Sequence, residues 1–494
     1  MHDLLIIGGG INGCAIAREA ALNGLDVRLI ERDDLASHTS SASTKLIHGG
    51  LRYLEQYEFK LVSQALAERD RLVAAAPHLI HPMRFVLPHE HAMRPWWMVR
   101  LGLCLYDWIG GSRTLERSRG LKSGDALYRA PLNRTGKGFV YSDAWVDDAR
   151  LTLANAVDAA RHGAAISTRT ELIVARRQDS YWIAALSDGT DVAARAIVNA
   201  AGPWVGSLLD RLGIAASSGV RLVKGSHIVV PKLFDGDHGY ILQQPDRRVV
   251  FAIPYEGAFT EIGTTDVPID APEDAAIDDA EITYLIDAVN RHFRKQIAPA
   301  DVVLTWSGVR PLYDDGAANA SEVTRDYMLD VNDDGPPLVS IFGGKITTAR
   351  HLAEEAMTRL APTLGFEAHP VTRARVFPGG AITALNRFVE QVRAAYPFLR
   401  ERQAERMARA YGSDLHHMLE GVIDAAGMGE DLGAGLTEIE LQWMVEREWA
   451  TTLDDVLWRR SKLGMHVTQS EQSAIAAALS AIRDEPAIRP HRQP

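Results

Sequence analysis

The sequence predicts an α/β nucleotide-binding domain assembled from separated segments, an α+β lobe inserted between them, and a small all-helical C-terminal domain. Three observations carry this. LLII (4–7), a glycine run, an Ala/Ile-rich stretch at helical spacing and VRLI (27–30) form a βαβ unit at the start. The order strand, glycine pair, helix returns at PLVSIFGGKITTARHLAEEAMTRL (337–360). Beyond VFPGGAIT (376–383) only helical periods remain.

In chain order, DARLTLANAVDAARHG (148–163) reads as a helix, and ELIVARR (171–177) and YWIAAL (181–186) as strands hinged at Asp179-Ser180. AIVNAAGPW (196–204) is an apolar strand stopped by Gly-Pro, the pattern of a strand buried on both faces. The stretch 217–330 mixes strand-like runs with one helix near 278–294. Thr437-Glu438-Ile439-Glu440 has capping-box spacing before a helix carrying Leu441, Met444, Val445 and Trp449. The expected division is a discontinuous nucleotide domain of residues 1–75, 145–215 and 335–372, and a cap lobe of 76–144 and 216–334. A helical domain of 380–485 follows, with a flexible tail of 486–494.

Composition narrows the function. The 494 residues are 46% hydrophobic and 24% charged, in the range of globular proteins, and their number favours two or three domains. A net charge of −11 argues against broad affinity for nucleic acid or anionic lipid, and leaves room for a local basic face. Cys14 and Cys104 form no CxxC, so neither an iron–sulfur cluster nor a structural zinc is expected, and both thiols read as buried packing residues in a reducing compartment. No metal is expected. The N-terminus has no charged region or cleavage signal, and no run of about 20 apolar residues would span a membrane.

Gly8-Gly9-Gly10-Ile11-Asn12-Gly13 satisfies GxGxxG between a strand and a helix. The glycines allow a tight turn and close approach of a pyrophosphate, while the helix start offers unpaired N–H groups. Glu31 ends the second strand 18 residues past Gly13, where a carboxylate can take both ribose hydroxyls. FAD is favoured over NAD because a flavin needs a second helix start at its pyrimidine edge, and Gly343-Gly344-Lys345 ahead of Thr347-Thr348 offers one. No histidine or cysteine stands ready to attach the flavin, so the FAD should be non-covalent.

Arg52 follows Gly49-Gly50, Arg310 lies in SGVRP, Arg325 in TRDY, and Lys345 follows Gly343-Gly344. Cations on such fixed backbone suit a phosphate or carboxylate, although each taken alone reads first as a surface charge or structural ion pair. His48 reads either as a satisfied core or surface group or, since a histidine's ordinary pKa lies near neutrality, as the acceptor for the proton of an alcohol being oxidised.

GGGINGCAIA, SSASTKLIHGGLRYLE, SDAWVDDARL, VNAAGPW, KGSHIVVP, IGTTDV, SGVRPL, TRDY, FGGKITT and LWRRSKLGM stand in this order along the chain. Together they closely resemble the FAD-dependent sn-glycerol-3-phosphate dehydrogenases of the aerobic bacterial type. The resemblance covers nearly the whole chain, departing most at residues 113–138. It implies a glutathione-reductase-like FAD domain and oxidation of glycerol 3-phosphate to dihydroxyacetone phosphate, with electrons passed to a membrane quinone. It also implies a cytoplasmic protein bound peripherally to the inner face of the inner membrane, and leaves a homodimer open. Carried over by position, Arg52, Tyr53, Arg310, Arg325 and Lys345 surround phosphate and flavin, and His48 and Thr265 rim the reacting centre. Gly8, Gly10, Gly13, Glu31, Ser40, Ser41, Thr44, Lys45, Ala200, Gly202, Gly344 and Thr347 hold FAD.

Competing readings are an amino-acid oxidase of the same fold, which would need one arginine for a carboxylate, an oxygen-reducing glycerol-3-phosphate oxidase, and a flavin-bearing assembly protein. RPWWMVRLGLCLYDWIGG (94–111) places Trp97, Leu101, Leu105 and Trp108 on one helical stripe. That stripe fits either a helix lying in a membrane interface or one buried between the FAD and cap lobes. Trp458, Arg459, Arg460 and Lys462 read as a second basic-aromatic patch for a membrane.

Overall fold

The computed structural model describes all residues except 91–93, 111–114, 135, 216–218, 315–326 and 485–494. Two sheets and a helical domain form it. In the first sheet, strands Leu338–Phe342, Asp191–Asn199, His2–Ile7, Val27–Ile30 and Ala165–Ser167 lie parallel in that order. Leu4, Leu5 and Ile6 are wholly buried because helices cover one face and a hairpin the other, which is why this strand reads as an unbroken apolar run. Helices Ile11–Leu22, Asp148–Arg161 and Ala349–Leu364 supply the first cover. The hairpin Leu172–Gln178/Tyr181–Leu186 supplies the second, turning at Asp179 as expected.

The second sheet is the cap. Its long strands Gly219–Pro231 and Leu304–Asp314 run antiparallel, and Phe259–Gly263, Val249–Tyr255, Gly239–Gln243, Ile80–Pro88 and Gly138–Val146 extend it. The helix Asp279–Asn290 packs on its outer face, opened by a capping box of Asp278 and Glu281.

Sheet pairing moves two expected boundaries. Met328–Asn332 pairs with Leu338–Phe342, so the FAD domain resumes before 335. Leu46–Ile47 pairs with Ala144 and Trp145, so a cap strand lies inside the segment assigned to the FAD domain. The first is a hairpin between neighbouring strands and the second a pairing with residues far along the chain, and in both backbone hydrogen bonding overrides the division read from local pattern.

The C-terminal domain has its own core around Phe388, Met407, Leu415, Leu441, Met444 and Ile475. Among the described residues it is helical apart from a two-stranded ribbon, Asp431–Gly433 against Leu436–Thr437. The helix expected after Thr437 spans Glu438–Glu448, but its capping box does not form. Glu440 is drawn inward to Arg406, at 2.5 and 2.6 Å, and to Tyr411 at 2.9 Å, leaving Thr437 Oγ1 without a partner. Cys14 is buried, whereas Cys104 is exposed because it sits on the outer side of the helix Trp96–Gly110. The expected tail, 486–494, lies outside the described residues.

Candidate active site

A cavity of about 950 Å³ runs along the seam between the two sheets. Its cofactor end is built by the βαβ start. Gly8 (φ +114°) ends the first strand, and a Cβ at Gly13 would stand 1.9 Å from the Gly8 carbonyl oxygen. Only glycine lets the helix begin so close to that strand. Glu31 lies behind this turn, its Oε2 accepting the Gly9 N–H at 2.6 Å and its Oε1 the Asp33 N–H at 2.8 Å. Burial pushes the Glu31 carboxyl up, and these two donors pull it back. Ser40 Oγ accepts from the Ile11 N–H at 2.9 Å, which leaves its hydroxyl hydrogen for a phosphate.

Gly8, Gly10, Glu31, Ser40 and Thr44 line this end, with Ala200 and Gly202 facing them. Further along, Gly344, Lys345 and Thr347 line the wall beside His48 and Tyr53. The Lys345 ammonium lies 4.1 Å from the Tyr53 ring centroid, and the His48 N–H approaches Thr347 Oγ1 at 3.4 Å. The elongated cavity has a carboxylate for ribose, a glycine turn with a helix start for pyrophosphate, and a second glycine turn beside a lysine. Those features fit FAD, which Gly8, Gly10, Glu31, Ser40, Gly344 and Lys345 would hold.

Four expected contacts fall elsewhere. Gly13 acts through packing. Ser41 turns its hydroxyl to the His38 carbonyl at 3.3 Å. Lys45 is buried, its Nζ held by Asp148 at 2.9 and 3.1 Å and by the Ser41 carbonyl at 3.0 Å, so it anchors the cofactor loop from behind. Thr265 is also buried, donating to Glu281 at 2.6 Å and accepting the Ser226 N–H at 2.8 Å, so the loop between the strands Phe259–Gly263 and Val267–Pro268 holds it away from the cavity while Thr264 and Asp266 line it. The Arg52 side chain and all of Arg325 lie outside the described residues.

The substrate end comes from the cap. Arg310 lines the cavity, pairing with Asp266 at 2.6 Å and Thr264 Oγ1 at 3.2 Å. A Cβ at Gly225 on the adjacent strand would lie 2.5 Å from its Nη2, so glycine there makes room for the guanidinium. Two residues along, His227 also reaches the cavity, and its ring stacks on Trp306 at 5.4 Å. Its Nε2 meets Thr44 Oγ1 at 3.0 Å and lies 3.8 Å from the buried Glu261 carboxyl. Burial, then Arg310 and Lys45, hold the imidazole well below its ordinary range, so it is neutral. Burial pushes Glu261 to about 8, with Lys45 opposing.

His227, Thr264 and Asp266 escaped the sequence reading although KGSHIVVP and IGTTDV contain them. The signal available was alternation: Gly225 and His227 share one face of a strand. Nothing local said that this face meets a cofactor.

Residues 3–350 match the family model described as FAD dependent oxidoreductase, and residues 370–492 that of the C-terminal domain of alpha-glycerophosphate oxidase. The chain is 49% identical to a glycerol-3-phosphate dehydrogenase of Pseudomonas aeruginosa, over 96% of this chain and 94% of the relative. It is 48% identical to a D-erythritol 1-phosphate dehydrogenase of Brucella abortus, over 96% of each. Among solved structures, the glycerol-3-phosphate dehydrogenase of Bacillus halodurans complexed with FAD superimposes with a TM-score of 0.74 at 27% identity, over 98% of this chain and 94% of that one.

Proposed function

The chain belongs to the FAD-dependent glycerol-3-phosphate dehydrogenases, and from that premise we propose that it oxidises sn-glycerol 3-phosphate at C2 to dihydroxyacetone phosphate and passes the electrons to a membrane quinone. One observation carries the chemistry: Arg310, Lys345 and a neutral His227 line the same cavity as the cofactor cradle. Bound FAD would supply the acceptor, N5, for the C2 hydride. Arg310, held in place by Asp266, and Lys345 offer positive charge to the substrate's phosphate, and Arg52 and Arg325 retain the role the resemblance gives them.

The hydroxyl proton goes to His227 Nε2, reached over the Thr44 hydroxyl. In the free protein burial, and after it the Arg310 and Lys45 cations, depress this imidazole. A phosphate dianion against Arg310 offsets only that cation's part, so substrate binding moves the basicity of His227 upward while burial still opposes its charged form. His48 serves instead as a donor, because its Nδ1 accepts the Gly50 N–H at 3.1 Å and its proton then sits on Nε2.

Arg310→Ala should lower kcat/KM roughly thirty- to a thousand-fold, about 2–4 kcal/mol, with FAD retained. Unchanged kinetics would make Arg310 a structural partner of Asp266 and end the phosphate reading. Bleaching of the bound flavin by glycerol 3-phosphate but not by alanine separates this enzyme from an amino-acid oxidase. The Brucella abortus relative favours a second reading, a four-carbon polyol phosphate as substrate. Comparing kcat/KM for D-erythritol 1-phosphate and glycerol 3-phosphate decides between them.

The quinone rests on the cavity's outer arm, which passes Tyr57, Phe59, Met98, Leu101 and Leu105 and opens at the helix Trp96–Gly110. That wall suits a lipophilic acceptor. No described helix is long and apolar enough to cross a membrane. The exposed Trp97, Leu101 and Trp108 support peripheral attachment through this helix, at the membrane face the resemblance implies, the cytoplasmic side of the inner membrane. Reduced enzyme offered a soluble quinone or oxygen should be reoxidised faster by the quinone; preference for oxygen would identify an oxidase.

A further inference from the structure

The C-terminal domain meets the FAD domain through ion pairs placed behind the cofactor loops. Residues Asp455–Arg460 form a π-helical segment, with Lys462 two residues beyond it in left-handed backbone (φ +57°). Arg459 and Arg460 both reach Asp34, the former at 2.5 Å and the latter at 2.8 Å to Oδ1. Asp455 takes Arg169 at 2.8 and 3.0 Å. Lys462 Nζ meets Asp147 Oδ1 at 2.5 Å.

Each gripped residue stands immediately behind a wall of the cavity. Asp34 lies three residues past Glu31, and its carbonyl accepts from the cavity-lining Ser37 at 3.1 Å. The Arg169 N–H donates to the Asp33 carbonyl at 2.8 Å, and Thr170 beside it lines the cavity. Asp147 caps the helix Asp148–Arg161 through the Arg150 N–H at 3.1 Å. The next residue, Asp148, holds Lys45 and takes the Ser43 N–H at 3.2 Å and hydroxyl at 2.8 Å. Ser43 and Thr44 are cavity wall. Asp34 is 1% exposed, so without the C-terminal arginines the FAD domain would hold a buried acid lacking these partners.

We propose that Lys462, Arg459 and Arg460 are positioning residues for FAD: the C-terminal domain grips three loops from behind and sets the cradle in which the cofactor sits. The π-helical turn serves this by bringing two consecutive arginines onto one acid. A domain that merely rode on the fold would need no buried charges at its border, since ordinary interdomain surfaces are polar and wet.

The test is FAD titration of full-length, FAD-stripped protein, followed by flavin fluorescence. Lys462→Met should weaken FAD about tenfold or more, and Arg169→Gln by about threefold or more. Lys462→Arg should restore affinity to within about twofold, since a cation on the same acid suffices. Arg406→Met, which breaks a pair internal to the C-terminal domain, should lower thermal stability and leave FAD affinity unchanged. The proposal is overturned if Lys462→Met and Arg169→Gln both bind FAD within about twofold of wild type, or if Arg406→Met weakens FAD as much as they do. Should Lys462→Met fail to fold, Arg169→Gln decides alone, and FAD binding by it within about twofold of wild type overturns the proposal.

Discussion

RPWWMVRLGLCLYDWIGG (94–111) and LWRRSKLGM (457–465) both join tryptophan to cations, yet Trp97 and Trp108 of the first are 62% and 79% exposed while Arg460 and Lys462 of the second are 1% and 5% exposed. The sequence reading offered both as membrane patches. For the second that is corrected: its cations are spent on Asp34 and Asp147 within the molecule. The first satisfies its polar groups locally, Arg100 donating to Ser118 Oγ at 2.9 Å and Asp107 accepting from the same residue. Leu103 and Tyr106 turn inward, and the tryptophan stripe stays outside. The alternative of a helix buried between the lobes is thereby corrected too. Composition marks a stretch as able to bind something; the acids placed opposite it decide what.

The largest effect that would sharpen this contrast is in the seam. Arg460→Met leaves Asp34 buried beside a single arginine and should cost about 3–5 kcal/mol, read as a lowered urea midpoint. Adding Asp34→Asn should recover part of that loss. A cost under about 1 kcal/mol would place Arg460 with ordinary surface cations.

Acid should separate the two regions next. Burial pushes Asp147 and Asp455 up, but Lys462 on the first, and the Thr451 N–H, the Thr452 hydroxyl and two arginines on the second, outweigh it and hold both carboxyls below their ordinary 3.8. Their contribution is therefore complete above about pH 4 and drains away as pH falls further. In thermal melts between pH 6 and 3, wild type should lose more stability than Lys462→Met. Parallel losses would mean that the seam does not titrate as described.

For the exposed helix the expected effect is on binding. Wild type should sediment with anionic vesicles, and Trp97→Glu/Leu101→Glu should stay in solution while folded and flavin-loaded. Undiminished co-sedimentation of the double variant would remove this helix as the anchor. The smallest effect is Trp108→Ser, which should change stability by no more than about 0.5 kcal/mol, because little is packed against that ring. A loss of several kcal/mol would show that the tryptophan belongs to a core.

By itself the sequence determined the cofactor end. Gly8, Gly13 and Glu31 work within one βαβ unit, where turn chemistry, strand period and helix start are all local, so reading 30 residues was enough to find them. Gly344 and Lys345 were legible for the same reason. Tertiary structure decided the substrate end, where His227 pairs across two strands with Gly263 and Trp306, and Arg310 is aimed by Asp266 from the loop after the strand Phe259–Gly263. It also turned Lys45 and Thr265 from expected contacts into buried supports, and drew Glu440 out of its capping box to a distant arginine. A side chain's local pattern sets which face of its element it occupies, but what lies against that face is fixed by chain brought back from far along the sequence, and buried charge goes to whichever partner that return supplies.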